Sequence, residues 1–567
     1  MNAKKVISRV FSRAAGIPVE KAFSLIERPP DPKLGDFSIP CFTLCARGQS
    51  PAEKASQVAE RIETTKEIEK IEAAGGYVNF FVDGSMLAGE CIKEILSQGE
   101  SYGKSAIGKG KNVMIEYSAP NTNKPLHVGH LRNDCIGMGI SNLLEFHGYR
   151  VIKANLVNDR GIHICQAMLA YKKYGQGKTP ESERVKGDKF VGDYYVKFSE
   201  ESRKNPKLND EATEMLRKWE QKDPETRKLW KKMRSWVLKG FRETYKKFGS
   251  EFDEIFYESQ FYDKARPIIE LGLKKGVFEK NEEGAIVARL KQYGLPDKTV
   301  LRADGTSIYI SNDLVLTKHK EEKFKLYKNI FCIASEQELY LKQLFKIMEL
   351  LGFPWHKNLE HLSYGLVFLP EGKMKSREGK VIDADDLIAS VEKLAASEVK
   401  KRFPGLSERE VEKRAEKIAL AAIKFSMLRT DHRKNFTFVP EQSVSFEGES
   451  GPYLQYTYAR AKSILRKARP VSTQQDFTLL TTEKEKEIAK TLSLFPETLN
   501  KALENRTLHI LCHYLLELAE LFNAYYHETR VIGSGKKEAP RLALVKAVSL
   551  VLKSGLSILN IPALEEM

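Results

Sequence analysis

Two histidines three residues apart, His127 and His130, lie where the sequence changes from a strand pattern to a helix pattern. An apolar run before them predicts a buried strand, and apolar residues recur at helical spacing after them. Unpaired backbone N–H groups and the positive dipole end make a helix start a site for anions. Gly129 lets a flat ring approach the backbone. The spacing indicates phosphate chemistry, although a helix cap plus a surface histidine is the commoner explanation of a bare pair.

A basic loop bounded by glycines is a second candidate for phosphate chemistry. It runs from Gly372 to Lys380 and follows a strand predicted at 364–369. Its lysines could clamp a leaving pyrophosphate as negative charge builds up on it. Asp383 and Asp386 then resemble a capping pair that opens a helix. Taken alone, a lysine-rich loop is more often simply exposed.

Polar residues also stand at the ends of predicted strands farther along the chain. Tyr309 and Asp313 are four residues apart at a predicted helix start, so both can face one cleft. Gln337 ends a strand that begins at Phe331. Open α/β sheets bind their ligands at the carboxyl ends of strands. An aspartate at a helix start is usually a cap, which leaves a structural role open for Asp313.

The elements that position these residues divide into three predicted domains. Residues 1–108 have the pattern of a small α+β domain. Residues 109–394 alternate strands and helices, which predicts an α/β fold with a doubly wound parallel sheet, interrupted near 172–248 by a charged helical insertion. Residues 395–567 consist mainly of amphipathic helices, so we expect an all-α bundle there.

Composition narrows the class of protein. The 567 residues carry a formal net charge of +16, which fits a polyanionic partner but also a merely basic soluble protein. The seven cysteines are scattered and do not form a four-ligand zinc set, so we expect reduced thiols, a cytoplasmic location and no protein-built metal site. The sequence has no signal-peptide pattern and no apolar run of the ~20 residues that a membrane helix needs.

The string Ser118-Ala-Pro-Asn-Thr-Asn-Lys-Pro-Leu-His-Val-Gly-His130 resembles the His-Ile-Gly-His signature of class I aminoacyl-tRNA synthetases, in the version found in arginyl-tRNA synthetases. The resemblance extends over most of the chain. It implies a Rossmann-type catalytic domain, an N-terminal domain that binds the tRNA elbow through its D-loop, and a C-terminal anticodon-binding bundle. The implied reaction is the ATP-dependent attachment of L-arginine to tRNA through an arginyl-adenylate, with release of pyrophosphate and AMP.

The resemblance also implies roles for the signature and the loop. The loop reads Lys-Met-Lys-Ser where the family has Lys-Met-Ser-Lys, so Ser376 stands where the second lysine is expected. Lys124 occupies the place of a lysine thought to substitute for that charge. We therefore expect Lys124, helped by Lys373 and Lys375, to act with His127 and His130 in catalysis. The predicted ATP-binding residues are Pro120, His127, Gly129, His130, Phe368, Lys373 and Met374.

The matching substrate pocket is expected to bind a guanidinium group. Arginine presents a planar, always-charged fork with five donors, which carboxylate, phenol and amide oxygens can accept. By the resemblance, Asn121 holds the substrate α-amino group. The predicted arginine-binding residues are Glu116, Asn121, Glu258, Tyr309, Asp313 and Gln337.

Two regions are expected to contact tRNA. An N-terminal string, Gly-Tyr-Val-Asn-Phe, resembles the family segment that reads an exposed base. In the C-terminal bundle, aromatic and basic residues share one helical face, although a tyrosine stripe is more often core. The predicted tRNA-binding residues are Asn79, Phe81, Tyr453, Tyr456, Arg460, Tyr526 and Met567.

The expected cofactors are ATP, as substrate, and Mg²⁺ bound with it, and the expected partners are L-arginine and tRNA(Arg). We also expect a monomer that requires bound tRNA before it activates arginine. Two alternatives remain open. The first is another class I synthetase, of which glutamyl-tRNA synthetase is the nearest. The acidic pocket residues argue against it, because its substrate is acidic. The second is a non-catalytic RNA-binding relative. The displaced loop lysine favours it, whereas the intact histidines argue against it.

Overall fold

The computed structural model describes residues 2–27, 29, 31–65, 67–82, 84–306, 308–370, 382–468 and 475–567. Its strands, in chain order, are β1 (Phe37–Pro40), β2 (Ile68–Ala74), β3 (Tyr77–Val82), β4 (Asn112–Glu116), β5 (Arg150–Val157), β6 (Glu254–Tyr257), β7 (Phe278–Lys280), β8 (Ile286–Ala288), β9 (Lys298–Leu301), β10 (Lys328–Ala334), β11 (Leu359–Tyr364), β12 (Val367–Phe368) and β13 (Phe436–Thr437).

The α-helices are α1 (Asn2–Ala15), α2 (Val19–Ser24), α3 (Pro51–Glu60), α4 (Gly84–Gln98), α5 (Val128–Phe146), α6 (Ile162–Tyr174), α7 (Pro180–Glu183), α8 (Gly187–Lys204), α9 (Lys207–Glu220), α10 (Pro224–Phe248), α11 (Arg266–Lys274), α12 (Tyr309–Phe324), α13 (Glu338–Leu350), α14 (Ala384–Arg402), α15 (Glu408–Leu428), α16 (Pro440–Ser443), α17 (Gly451–Lys467), α18 (Glu483–Ser493), α19 (Phe495–Asn505), α20 (His509–Glu528) and α21 (Glu538–Ile558). Within the described segments, no helix has the length and apolar character to cross a membrane.

The central sheet has five parallel strands in the order β11-β10-β4-β5-β6. β4 pairs with β5 on one side and with β10 on the other, so the strand order reverses at β4. The gap beside such a reversal, at the carboxyl ends of the strands, is where open α/β sheets bind ligands. α5, which follows β4, is buried along most of its length. The predicted doubly wound α/β fold is therefore confirmed.

The smaller sheets belong to neighbouring parts of the chain. In the N-terminal region β3 lies between β1 and β2 in an antiparallel sheet with its own hydrophobic core. β7, β8 and β9 form a second antiparallel sheet within the catalytic region. The stretch predicted as a helical insertion contains α7 to α10.

The C-terminal helices form the predicted bundle, in which α15 packs on α14 and α17, and α17 packs on α20 and α21. Apolar residues of this bundle share one continuous core with α5. The bundle and the helix that carries the histidines are therefore packed as one unit.

Two predicted elements have other bounds in the structure. The strand predicted at 364–369 is instead the end of β11 followed by the two-residue β12, which pairs with β13. Helical periodicity in the sequence predicts a helix over 262–275, whereas α11 begins only at Arg266. Pro267 lacks the N–H that an interior helical residue donates, so it favours the first turn of a helix. Asp383 caps α14 as predicted, since its carboxylate accepts the Asp385 N–H at 2.9 Å.

Candidate active site and tRNA-binding surfaces

A cleft of about 750 Å³ opens at the carboxyl ends of β4 and β10, beside the reversal in strand order. It brings together side chains that are far apart in the sequence and that were predicted to bind ATP or arginine. Those that line it are Glu116, Asn121, His127, Gly129, His130, Glu258, Tyr309, Asp313, Gln337 and Phe368.

A strained turn carries the chain from β4 toward the histidines. Ser118 and Ala119 have positive φ values of 74° and 50°. Left-handed backbone costs an L-residue about 1–2 kcal/mol, so such a turn needs support. Asn133 Oδ1 accepts the Ser118 N–H at 2.6 Å, and Asn155 Oδ1 accepts the Ala119 N–H at 3.2 Å. Asn133 also donates to the carbonyl of Cys332 on β10 at 2.9 Å, which fixes the turn to the neighbouring strand.

The two histidines cap the start of α5 with their Nδ1 atoms. His127 Nδ1 accepts the Gly129 N–H at 3.1 Å, and His130 Nδ1 accepts the His127 N–H at 3.0 Å. An Nδ1 atom that accepts a hydrogen bond carries no proton, so in the neutral ring the proton is on Nε2. The ring centroids are 3.9 Å apart. Each ring is thereby held in one tautomer, with Nε2–H as its remaining donor.

Burial keeps both imidazoles neutral. It lowers the pKa of His127 to about 4, and the charge of Lys124 adds to the effect. Burial likewise holds the pKa of His130 well below its usual value, followed by the influences of His127 and Lys124. At neutral pH the pair can therefore donate hydrogen bonds to phosphate oxygens, but it supplies no positive charge.

Two predicted residues of the signature do not line the cleft. Pro120 is buried, and its carbonyl accepts the Asn158 N–H at 2.9 Å. Lys124 is half-buried, and burial lowers its pKa. Lys124 is nevertheless close enough to influence both histidines electrostatically.

Two carboxyl groups, those of Asp313 and Glu258, also line the cleft. Burial raises the pKa of Asp313 to about 6, although the Tyr340 hydroxyl donates to it. Burial also raises the pKa of Glu258 to about 7, against the opposing charge of Arg160. Asn312 Nδ2 donates to Glu258 Oε1 at 3.2 Å, while the buried Glu258 Oε2 has no hydrogen-bond partner among the residues that the structure describes. A cation with several N–H donors would stabilise the ionised form of both carboxyl groups.

The remaining residues of the predicted arginine pocket differ in their surroundings. Glu116 pairs with Lys320, and both side chains are almost completely buried, so the charge of Glu116 is already compensated. Tyr309 stands at the rim of the cleft and is 57% exposed. Asn121 and Gln337 are also exposed.

The described residues on either side of the basic loop contact α5. Lys373, Met374 and Lys375 lie outside the described residues. On one side of them, the buried guanidinium of Arg132 donates to the carbonyls of Gly365 and Leu366. On the other side, the Val128 N–H donates to the Ile382 carbonyl at 3.1 Å. The described residues that flank the loop in the sequence therefore contact α5 on both sides.

A second cavity, in the C-terminal bundle, contains most of the predicted anticodon-binding residues. Tyr456, Arg460, Tyr526 and Met567 line it, whereas Tyr453 does not. The Arg460 guanidinium lies 4.7 Å from the ring centroids of both Tyr456 and Tyr526. Arginine and aromatic planes of this kind can stack on unpaired bases.

The two N-terminal residues predicted to contact tRNA differ in exposure. Asn79 lies in the middle of the sheet and is 3% exposed. Phe81 is partly exposed, with Lys70 Nζ 5.1 Å from its ring centroid. Phe81, unlike Asn79, therefore offers a surface that a base could reach.

Sequence reasoning missed several residues that shape the site. Asn312 could have been found because it precedes Asp313 at the same helix start. No sequence signal singles out the others, because each acts on a residue far away in the chain. They are Arg132, Asn133, Arg160, Lys320 and Tyr340.

Comparisons with known proteins agree with this geometry. The family model described as "tRNA synthetases class I (R), catalytic domain" matches residues 91–439, "Arginyl tRNA synthetase N terminal domain" matches 1–82, and "DALR anticodon binding domain" matches 454–567. The chain is 42% identical to the arginine–tRNA ligase of Treponema denticola over 559 residues, 96% of this chain and 94% of the relative. It is 38% identical to that of Treponema pallidum, covering 100% and 99% of the two chains.

A solved structure has the same architecture. The Thermus thermophilus arginyl-tRNA synthetase superposes with a TM-score of 0.80 and 26% identity, and the alignment covers 100% of both chains. The parallel sheet, the paired histidines at the start of α5 and the matching catalytic family model define a class I aminoacyl-tRNA synthetase. Within that class, the chain belongs to the arginyl-tRNA synthetase family.

Proposed function

We propose that this enzyme attaches L-arginine to tRNA(Arg) in two steps. First, an arginine carboxylate oxygen attacks the α-phosphate of ATP, and the bond to the β-phosphate breaks, so that arginyl-adenylate forms and pyrophosphate leaves. A hydroxyl of the terminal ribose of tRNA then attacks the arginyl carbonyl, and AMP leaves. The observation that carries the proposal is that one cleft holds both the Nε2–H donors of the histidine pair and the carboxyl groups of Glu258 and Asp313, whose pKa values burial raises.

The acidic end of the cleft is assigned to the substrate side chain. Glu258 and Asp313 bind the guanidinium, and Tyr309 and Gln337 border it. Burial has already removed water from these carboxylates, and a cation that pairs with them offsets the cost of that burial. Arginine is therefore favoured over its neutral isostere citrulline. Lysine offers a single ammonium in place of a fork, so it would leave acceptors unpaired. Asn121 is assigned to the α-amino group.

The other end of the cleft is assigned to ATP. His127 and His130 donate Nε2–H to the phosphates, and Gly129 leaves room for the nucleotide. Because the histidines are neutral, the positive charge that stabilises the leaving pyrophosphate falls to Lys124 and to the loop lysines. The contacts of α5 with Gly365 and Ile382, which flank the loop in the sequence, support this assignment.

Mg²⁺ is proposed to enter with ATP. In the described part of the chain, no three acidic, histidine or cysteine side chains gather as a metal site. Mg²⁺ commonly keeps several waters and binds mainly through substrate phosphates, which fits a protein without such a cluster. When bound, it would neutralise charge on the phosphates.

The tRNA is proposed to contact all three predicted domains, 1–108, 109–394 and 395–567. The net charge of +16 favours a polyanion, and the cavity around Arg460 offers aromatic faces for anticodon bases. Phe81 is assigned to the elbow. We further propose that the enzyme acts as a cytoplasmic monomer.

The test is arginine-dependent exchange of pyrophosphate into ATP, measured with and without tRNA. Asp313→Asn removes the charge that pairs with the guanidinium, so exchange should fall at least a hundredfold. Glu322→Gln is the matched control, because Glu322 lies on the same helix, is exposed and pairs only with Lys318 among the ion pairs of the described residues. Normal exchange by Asp313→Asn would refute the pocket. Absence of any exchange by the unaltered protein with tRNA present would refute the function.

A further inference from the structure

Arg160 places a guanidinium of the protein itself beside the pocket proposed to bind a substrate guanidinium. It lies in the turn between β5 and α6, next to Gly161, whose φ of 115° only glycine adopts readily. Its side chain is 8% exposed. Its NH1 atom is 3.8 Å from Glu258 Oε1. No motif assigns it a role.

The protein holds Arg160 away from full contact with Glu258. Its NH2 atom donates to Glu220 Oε1 at 2.5 Å, a much closer contact than the one to Glu258. The guanidinium carbon lies 4.8 Å from the ring centroid of Tyr262 and 5.7 Å from that of Trp219. Glu220 and the two rings therefore keep the guanidinium near Glu258 without a short ion pair.

The geometry around Glu258 leaves one oxygen free. Asn312 donates to Oε1 at 3.2 Å, and Arg160 also approaches Oε1, whereas no described residue forms a hydrogen bond with Oε2. The carboxylate is thus held on one side only. A bidentate guanidinium ligand needs such an uncommitted oxygen.

We propose that Arg160 is a positioning residue for arginine binding: it holds a positive charge beside Oε1 of Glu258, while Glu220 keeps the Arg160 guanidinium from occupying the substrate's place. This inference rests on the assignment of Glu258 to the arginine pocket. In the described part of the chain, the charged and titratable groups that face Glu258 are Arg160, Asp159, Tyr309, Asp313 and Tyr340. Asp159 and Asp313 favour the protonated form of Glu258, and Arg160 opposes them.

The size of the effect follows from the loss of one nearby charge. Burial already raises the pKa of Glu258 to about 7. An opposite charge at this distance lowers a carboxyl pKa by about one unit or more, so its removal raises the pKa by about as much. The ionised fraction at pH 7.0 then falls from about a half to about a tenth, a loss of about fivefold in arginine affinity, whereas at pH 8.5 the loss is below about twofold.

The experiment measures the Kd of arginine by calorimetry at pH 7.0 and pH 8.5. Arg160→Gln should raise Kd about fivefold at pH 7.0 and hardly at all at pH 8.5, and Arg160→Lys should restore most of the affinity. An unchanged Kd at pH 7.0, or an equal loss at both pH values, overturns the inference. Glu220→Gln frees Arg160 to pair with Glu258 and to occupy the substrate's place, so it should raise Kd at both pH values.

The controls separate this inference from the function on which it rests. Glu220 is partly exposed, so Glu220→Gln remains informative if Arg160→Gln fails to fold. An unchanged Kd in Glu220→Gln contradicts the division of Arg160 between two carboxylates. If Glu258→Gln binds arginine normally, the pocket assignment itself fails. If Glu258→Gln weakens binding and Arg160→Gln does not, only the role of Arg160 fails.

Discussion

Arginine binding should depend steeply on pH between 8.0 and 5.5, because the two carboxyl groups of the pocket titrate in this range. Burial raises the pKa of Glu258 to about 7 and that of Asp313 to about 6 in the empty cleft. A bound guanidinium favours both ionised forms and lowers both pKa values. Affinity is therefore fully present above the pKa values of the empty cleft and is lost as pH falls through 7 and then 6.

The magnitude follows from the ionised fractions. At pH 8.0 about nine-tenths of the molecules have both groups ionised, whereas at pH 5.5 about 3% of Glu258 and about a quarter of Asp313 are ionised. The fraction of molecules with both groups ionised therefore falls about a hundredfold from pH 8.0 to pH 5.5. This corresponds to a loss of about 2.7 kcal/mol of binding free energy. Near pH 6.5, binding should release about one proton, since the empty cleft holds about that many on the two groups.

Calorimetry in two buffers of different ionisation enthalpy measures both the affinity for arginine and the number of protons released on binding. Glu258→Gln serves as the comparison, because it should leave a shallower dependence with one step near pH 6. Circular dichroism at pH 5.5 checks that the protein remains folded. An affinity that is constant from pH 8.0 to 5.5, with no proton released, would show that these carboxyl groups do not bind the guanidinium.

Two further predictions concern the histidine pair and the buried ion pair. A Cβ atom at Gly129 would lie 3.0 Å from His127 Nδ1, so Gly129→Ala should displace that ring. Pyrophosphate exchange should then slow about 10- to 100-fold, while the midpoint of thermal unfolding stays unchanged. An unchanged rate would contradict the donor role of the ring. Lys320→Met leaves Glu116 buried without its partner and should lower the free energy of unfolding by about 3 kcal/mol, whereas Glu116→Gln combined with Lys320→Met should recover most of it. Denaturant titration checks this, and equal stability of the single and double variants would argue against a buried pair.

Local features of the chain were predictable because their causes are local. The strand–turn–helix corner at 113–146 follows from apolar periodicity, and Asp383 was recognised as a cap from its position before a helical pattern. The start of α11 differs from the sequence prediction by four residues, because the periodic pattern continues through residues before Pro267. The sequence does not show where β11 ends, because residues 364–369 are mostly apolar and only the pairing of β12 with β13 divides them.

The sequence by itself determined the alternation of strands and helices, the basic charge, and the residue types from which a phosphate site and a guanidinium site can be built. Only the tertiary structure decided that Glu116 is already paired with Lys320, that Asn79 is buried, and that the histidines are neutral donors. The physical reason is the separation along the chain between the residues that set each property. Helix and strand patterns depend on neighbours within a few residues, whereas burial and ion pairing depend on partners that the fold brings together, such as Glu116 and Lys320, 204 positions apart in the chain.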